Sequence, residues 1–87
     1  MQHLKQKQLI KQALSKVVIK LRGNKSKFIF GSENDISTSI LSMIENCKKD
    51  PQLTTIFRLA EAFNISASDF IKMINDELPN NFYFIEK

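Results

Sequence analysis

The sequence predicts an all-α fold, a bundle of five helices followed by a short strand-like extension at the C-terminus. Three observations support this prediction. Apolar residues recur at the spacing of one helix face, capping residues precede four of the five segments, and only two glycines and two prolines occur among the 87 residues. A β-sandwich needs more turn residues than this, and a chain of this length forms one domain with a modest core.

The first helix is predicted from about residue 4 to residue 22. Counted from Ile10, apolar residues follow at offsets of 4, 7, 8 and 11 residues, which describes one face of an α-helix. The β-branched run from Val17 to Ile19, followed by Gly23 and Asn24, leaves a β-hairpin as the alternative. A helix is preferred because the periodicity upstream continues into that run.

The second and third helices are each introduced by a serine. Ser26 precedes the segment 27–33, and Ser37 precedes the segment 38–46. A serine in this position accepts a hydrogen bond from a free amide of the first helical turn. Gly31 supplies the small residue that two helices need when they cross steeply over a short turn.

Two further capping patterns predict the fourth and fifth helices. Asp50 and Pro51 predict the start of the fourth, with the aspartate as the cap and the proline in the first helical position. Its inward side chains are expected to be Leu53, Ile56, Phe57, Leu59, Ala60 and Phe63. Ser66 and Asp69 have the spacing of a capping box, and the helix that they open carries an apolar stripe of Phe70, Ile71 and Ile74 before Pro79 ends it.

We therefore divide the chain into a helical domain, residues 1–79, and an extension, residues 80–87. The extension is dense in aromatic and β-branched side chains, which favour strands: Phe82, Tyr83, Phe84 and Ile85. An unpaired apolar strand needs a partner, so one interpretation is that these residues pair with a second subunit as a dimer interface. The alternative is that their side chains fold back onto the helical core.

Charge is unevenly distributed along the sequence. Residues 1–27 hold eight lysine or arginine residues and no acidic residue, whereas residues 28–87 hold five basic and nine acidic residues. This polarity favours a polyanionic partner, either nucleic acid or an anionic membrane surface. The alternative is a set of solvated lysines that only keep the protein soluble.

The composition argues against an enzyme. The single histidine, His3, lies near the N-terminus, and Cys47 is the one cysteine, so the sequence offers neither a metal-ligand set nor a nucleophile with a base. We expect no catalytic residue, no cofactor and no metal. No apolar run approaches the ~18 residues of a membrane span, nothing suggests export, and a lone cysteine suits the reducing cytoplasm.

Three stretches of the sequence, taken together, resemble a known family. Residues 37–46 read Ser-Thr-Ser-Ile-Leu-Ser-Met-Ile-Glu-Asn, residues 50–55 read Asp-Pro-Gln-Leu-Thr-Thr, and residues 58–63 read Arg-Leu-Ala-Glu-Ala-Phe. This pattern resembles the helix-turn-helix domain of the Cro/phage-repressor (XRE) family, without gaps from about Ser26 to Phe70. The resemblance implies a repressor-like five-helix bundle whose helix-turn-helix motif occupies about residues 26–46.

The resemblance also implies roles for particular residues. The third helix would be the recognition helix, which lies in the major groove of DNA. The side chains expected to contact bases are Thr38, Ser39, Ser42 and Met43. Those expected to contact phosphates are Ser26, Lys27, Ser37, Asn46, Lys48 and Lys49. Arg22 and Glu45 would form a partly buried ion pair; direct phosphate binding by Arg22 is the less favoured alternative.

Two positions depart from the family pattern. Relatives usually have a glycine where Cys47 stands, because that residue adopts a positive φ. The cysteine implies either backbone strain or a shifted helix end, with Asn46 left-handed instead. Relatives also have a more polar second helix, whereas residues 28–30 of this chain are all bulky and apolar. One of Phe28 and Ile29 must therefore be exposed, or packed against something outside the motif.

The resemblance implies a dimeric, sequence-specific regulator of transcription, acting as a repressor on double-stranded DNA. The alternative is the antitoxin of a toxin–antitoxin pair, which binds both a toxin protein and operator DNA. A membrane-surface module is disfavoured, because the apolar face of the first helix is needed for the core and the C-terminal part is acidic.

Overall fold

The computed structural model describes residues 4–85, and His3 and the last two residues of the predicted extension lie outside this range. Five helices follow one another: α1 (Leu4–Arg22), α2 (Lys27–Asn34), α3 (Thr38–Glu45), α4 (Leu53–Ala62) and α5 (Ala67–Asp76). The predicted all-α, five-helix fold is confirmed. The hairpin alternative for the first segment is excluded, since residues 4–85 contain no strand.

The serine caps lie where the sequence predicts them. The hydroxyl of Ser26 accepts a hydrogen bond from the amide of Ile29, that of Ser37 from Ile40 and that of Ser66 from Asp69, at 3.1, 3.0 and 3.0 Å. Each bond satisfies one amide that lacks a partner within its own helix. These caps fix the first residues of α2, α3 and α5.

The predicted start of α4 is wrong. The helix begins at Leu53 with Gln52 as its N-cap, which makes no side-chain capping bond, and Asp50 and Pro51 lie in the irregular connection before it. A proline fixes its own φ and favours an extended residue before it. Those preferences fit an irregular connection as well as a first helical turn, so the dipeptide alone did not locate the helix.

The core is formed by one face of every helix. Its fully buried side chains include Val18, Leu41, Ile44, Leu59 and Phe70. α1 packs against α3 and α5, α2 against α3, and α4 against α5. The ring of Phe63 bridges Phe30 and Phe70, at centroid distances of 5.0 and 6.0 Å.

Three residues predicted to point inward are exposed instead. Leu53, Phe57 and Ile71 have exposed fractions of 67, 58 and 46 %. The buried residues of α4 are Ile56, Leu59 and Ala60, a narrow stripe, and Leu53 and Phe57 lie on its flank. In a bundle this small no further layer covers that flank, so an apolar residue there stays in water.

Four helices end in a left-handed residue. Gly23, Asp35, Cys47 and Asn64 follow α1 to α4 and have φ values of 62, 55, 61 and 61°. After α2, α3 and α4 the next amide (Ile36, Lys48 and Ile65) donates to a carbonyl five residues earlier, at 2.9, 2.8 and 3.1 Å. This is the Schellman arrangement, which turns the chain sharply and satisfies a terminal carbonyl.

The C-terminal extension forms turns and bends rather than a strand over its described residues. Phe82 is half-buried, while Tyr83 and Ile85 have exposed fractions of 62 and 68 %. Phe82 and Tyr83 line a groove together with Lys5 and Leu9 of α1. Of these three side chains only Phe82 is half-buried, so folding back onto the core and strand pairing with a second copy both stay predictions.

Candidate nucleic-acid interface

The α2–turn–α3 unit depends on a close approach at Gly31. The amide of Ile36 donates to the Gly31 carbonyl at 2.9 Å, and a Cβ on Gly31 would overlap the Ile36 carbonyl oxygen. Only glycine therefore lets the turn close against α2 in this way. The small residue predicted at this position is required by the backbone that follows it.

α3 buries one face and presents the other to solvent. Leu41, Ile44 and Glu45 are buried, which fixes the helix against the core. The outward residues are Thr38 and Ser39, which are exposed, Ser42, which is partly exposed, and Met43, with an exposed fraction of 42 %. The four residues expected to contact bases thus share one side of α3.

An ion pair joins the end of α3 to the end of α1. Arg22 donates from Nε and Nη2 to the two carboxylate oxygens of Glu45, both at 2.7 Å. The side chains are 14 and 4 % exposed. The hydrogen bond to Glu45 raises the pKa of Arg22, as does the negative charge of Glu45, and together they outweigh the loss of hydration. Arg22 is therefore charged in the folded protein.

Sequence reasoning missed a second bond at the same point. The hydroxyl of Ser15, which is buried in α1, donates to the main-chain carbonyl of Glu45 at 2.7 Å. α1 thus holds both the side chain and the backbone of Glu45. A signal was available: Ser15 follows Leu14 directly and stands one helical turn before Val18, so it borders the predicted apolar face, and a buried hydroxyl needs a partner.

One lysine contacts the outward side of α3, and two more follow the helix in the sequence. The Nζ of Lys27, at the start of α2, is 3.5 Å from the Ser42 hydroxyl. Lys48 lies just after α3, where its main-chain amide donates to the Met43 carbonyl. Lys48 and Asn46 are exposed, whereas Lys49 is half-buried.

The serines expected at phosphates use their hydroxyls as helix caps. The hydroxyls of Ser26 and Ser37 each accept a hydrogen bond from a main-chain amide of the helix that follows. What the starts of α2 and α3 offer to an anion is therefore chiefly their remaining main-chain amides.

Cys47 is the left-handed residue after α3. It adopts a φ of 61° itself, whereas Asn46 has φ −93° and ψ 11°. The shifted helix end with a left-handed Asn46 is therefore wrong, and backbone strain at Cys47 is the correct alternative.

The cation and the helix starts beside α3 can bind an extended anion. Within residues 4–85 no three histidine, cysteine, aspartate or glutamate side chains are placed to hold a metal ion. None of the helices in this part of the chain combines the length and the apolar composition that crossing a membrane requires.

Comparison with known protein families gives a match over the middle of the chain. The family model described as Helix-turn-helix matches residues 34–70. The match covers the turn before α3, the whole of α3 and α4, and the beginning of α5. No curated protein and no solved structure matches the chain.

Proposed function

Because residues 34–70 form a helix-turn-helix domain of the Cro/phage-repressor (XRE) family, we propose that this DNA-binding chain recognises a specific duplex sequence as a homodimer and represses transcription. The supporting observation is the outward side of α3. Its hydroxyl and methionine side chains project from a helix that is fixed at its inner face and at its last residue, with Lys27 next to Ser42.

Base recognition rests on Thr38, Ser39, Ser42 and Met43 in this proposal. Hydroxyls donate to or accept from base edges, and methyl-bearing side chains contact thymine methyl groups. None of the four is an arginine, asparagine or glutamine, the side chains that bind single bases through two hydrogen bonds. Sequence-dependent DNA shape therefore contributes a larger part of the specificity.

Affinity comes mainly from phosphate contacts. Lys27, Lys48 and Lys49 supply the charge, Asn46 adds a hydrogen bond, and the amides at the starts of α2 and α3 complete the set. With about six such contacts, affinity should fall ~10³-fold or more between 50 and 200 mM salt.

Selection of bound duplexes from a random pool, followed by titration at several salt concentrations, tests the proposal. Thr38→Ala or Ser39→Ala should cost about 1–3 kcal/mol on the selected site and relax the preference at one base pair. Lys27→Ala or Lys48→Ala should weaken selected and random duplexes alike and lower the salt slope by about one. Equal losses on both duplexes for the Thr38 and Ser39 variants would remove the assignment of base contacts.

Dimerisation is proposed to place two copies of α3 about one turn of DNA apart, ~34 Å. Each copy measures 43 × 25 × 23 Å, so two copies side by side fit this spacing. The proposed interface is Phe82, Tyr83, Phe84 and Ile85, paired as strands between the copies. Removing residues 82–87 and measuring sedimentation tests the interface, and an unchanged association constant would exclude it.

An antitoxin is the second candidate, and exposed apolar side chains away from α3 favour it. Leu53 and Phe57 lie four residues apart on α4 and are largely exposed, which suits a protein partner. Coexpression with the product of the adjacent gene tests this function. A complex that persists at high salt and is lost on Phe57→Ala would support it, and separate elution of the two products would exclude it.

A further inference from the structure

Phe28 is the most exposed large apolar side chain in residues 4–85, with an exposed fraction of 73 %. It is the second residue of α2, directly after Lys27. Leaving a phenylalanine in water forgoes the ~1.5–3 kcal/mol that its burial contributes, and neither the core nor the ion pair uses this side chain. It is therefore available to a ligand outside the folded chain.

The surroundings of Phe28 connect it to the recognition helix. A shallow depression lies between α2 and the start of α3, and its lining includes Phe28, Gly31, Ile36, Ser37 and Thr38. Phe28 and Thr38, the first residue of α3, thus border the same recess.

We propose that Phe28 binds the 5-methyl group of a thymine beside the base pair that Thr38 contacts, at the outer edge of each half-site. The inference rests on the proposed function, because it needs α3 in the major groove. There the thymine methyl is the one apolar group that a base edge presents, and phenylalanine is among the side chains that contact it.

Charge around the recess favours DNA over an apolar protein segment. Lys27 precedes Phe28 in the first turn of α2, and its Nζ is 3.5 Å from the Ser42 hydroxyl, so the turn that carries Phe28 also carries a cation that is proposed to neutralise a phosphate. Asp35 also lines the recess, and the guanidinium of Arg58 donates to its main-chain carbonyl at 3.1 Å. A cation is thus held beside the one acidic residue of the recess.

The test replaces individual thymines of the selected duplex by deoxyuridine, which lacks only the methyl group. Titration with wild-type protein should show one thymine, outside the stretch read by Ser39 to Met43, whose replacement lowers affinity about fourfold, the factor for one buried methyl group. Phe28→Ala should lower affinity for the thymine duplex by at least that factor. It should also bind the thymine and deoxyuridine duplexes equally.

Ile71→Ala is the control, since Ile71 is also an exposed large apolar side chain but lies on α5. It should keep the full response to deoxyuridine, and thermal melting of both variants should match the wild type. A Phe28→Ala protein that responds to deoxyuridine at every position as the wild type does would overturn the inference, as would a selected site without thymine at the outer edge. The proposed function fails differently, through loss of sequence preference in the wild type itself.

Discussion

Arg22→Met tests how the end of α3 is held. The change removes the two bonds from the guanidinium to the Glu45 carboxylate and a third, from Nη1 to the Lys25 carbonyl at 2.6 Å. Methionine has a comparable length and fills the same space without charge. The carboxylate, 4 % exposed, then remains buried without its partner.

The expected loss of unfolding free energy follows from the burial of the Glu45 carboxylate. Breaking a buried ion pair by removing one partner costs about 3–5 kcal/mol, because the remaining charge is uncompensated. Replacing both partners by apolar residues is often neutral or stabilising. Arg22→Met should therefore lose ~3–5 kcal/mol of unfolding free energy, and adding Glu45→Met should recover most of it.

Urea denaturation of the single and double variants measures these changes. Lys72→Met is the control, because it breaks the exposed pair between Lys72 and Asp76, whose side chains are 74 and 60 % exposed. An exposed pair of this spacing contributes at most about 0.5 kcal/mol. A loss below about 1 kcal/mol for Arg22→Met, or losses that simply add in the double variant, would refute the reasoning.

The pKa of Arg22 fixes the pH range of this contribution. The bonds to Glu45 raise that pKa above its unfolded value, so the stabilisation is complete below the unfolded pKa and disappears only as pH rises through the folded one. An arginine stays protonated throughout the accessible range. The difference between wild type and Arg22→Met should thus stay constant from about pH 7 to 10.

Substitutions at three further positions probe the backbone around α3. Cys47→Gly should stabilise the protein by about 0.5–1 kcal/mol, because glycine tolerates the positive φ, while Cys47→Ala should bring no gain in the same denaturation assay. Gly31→Ala should cost at least about 2 kcal/mol, since the added Cβ meets a main-chain oxygen; a neutral effect would contradict that contact. Ser15→Ala should cost about 1–3 kcal/mol by leaving the Glu45 carbonyl without its buried donor, which thermal melting can detect.

Local rules predicted much of this fold from the sequence. The serines at 26, 37 and 66 located three helix starts, because a cap is a contact between residues three apart. The requirement for a small residue at 31 was equally local. The exposed hydroxyls of Thr38 and Ser39 followed from the family pattern together with the apolar periodicity of α3.

Longer-range features escaped prediction for physical reasons. Whether Leu53, Phe57 and Ile71 are buried depends on which neighbour covers each flank of a helix, and periodicity states only that they share a side. The role of Ser15 depends on Glu45, thirty residues away. The start of α4 depends on how the chain leaves α3, which Asp50 and Pro51 do not determine.

The distribution of bonds along α3 explains how a helix of only eight residues can hold the proposed base-contacting side chains in place. An isolated helix of this length is unstable in water, so its position must come from tertiary contacts. Leu41 and Ile44 fix its inner face, Ser15 and Arg22 hold its last residue, and Ser37 caps its first turn. All of these contacts avoid the outward side chains. Thr38, Ser39, Ser42 and Met43 can therefore change without loss of the fold, and substitutions there should alter sequence preference while leaving the unfolding free energy within about 0.5 kcal/mol of the wild type.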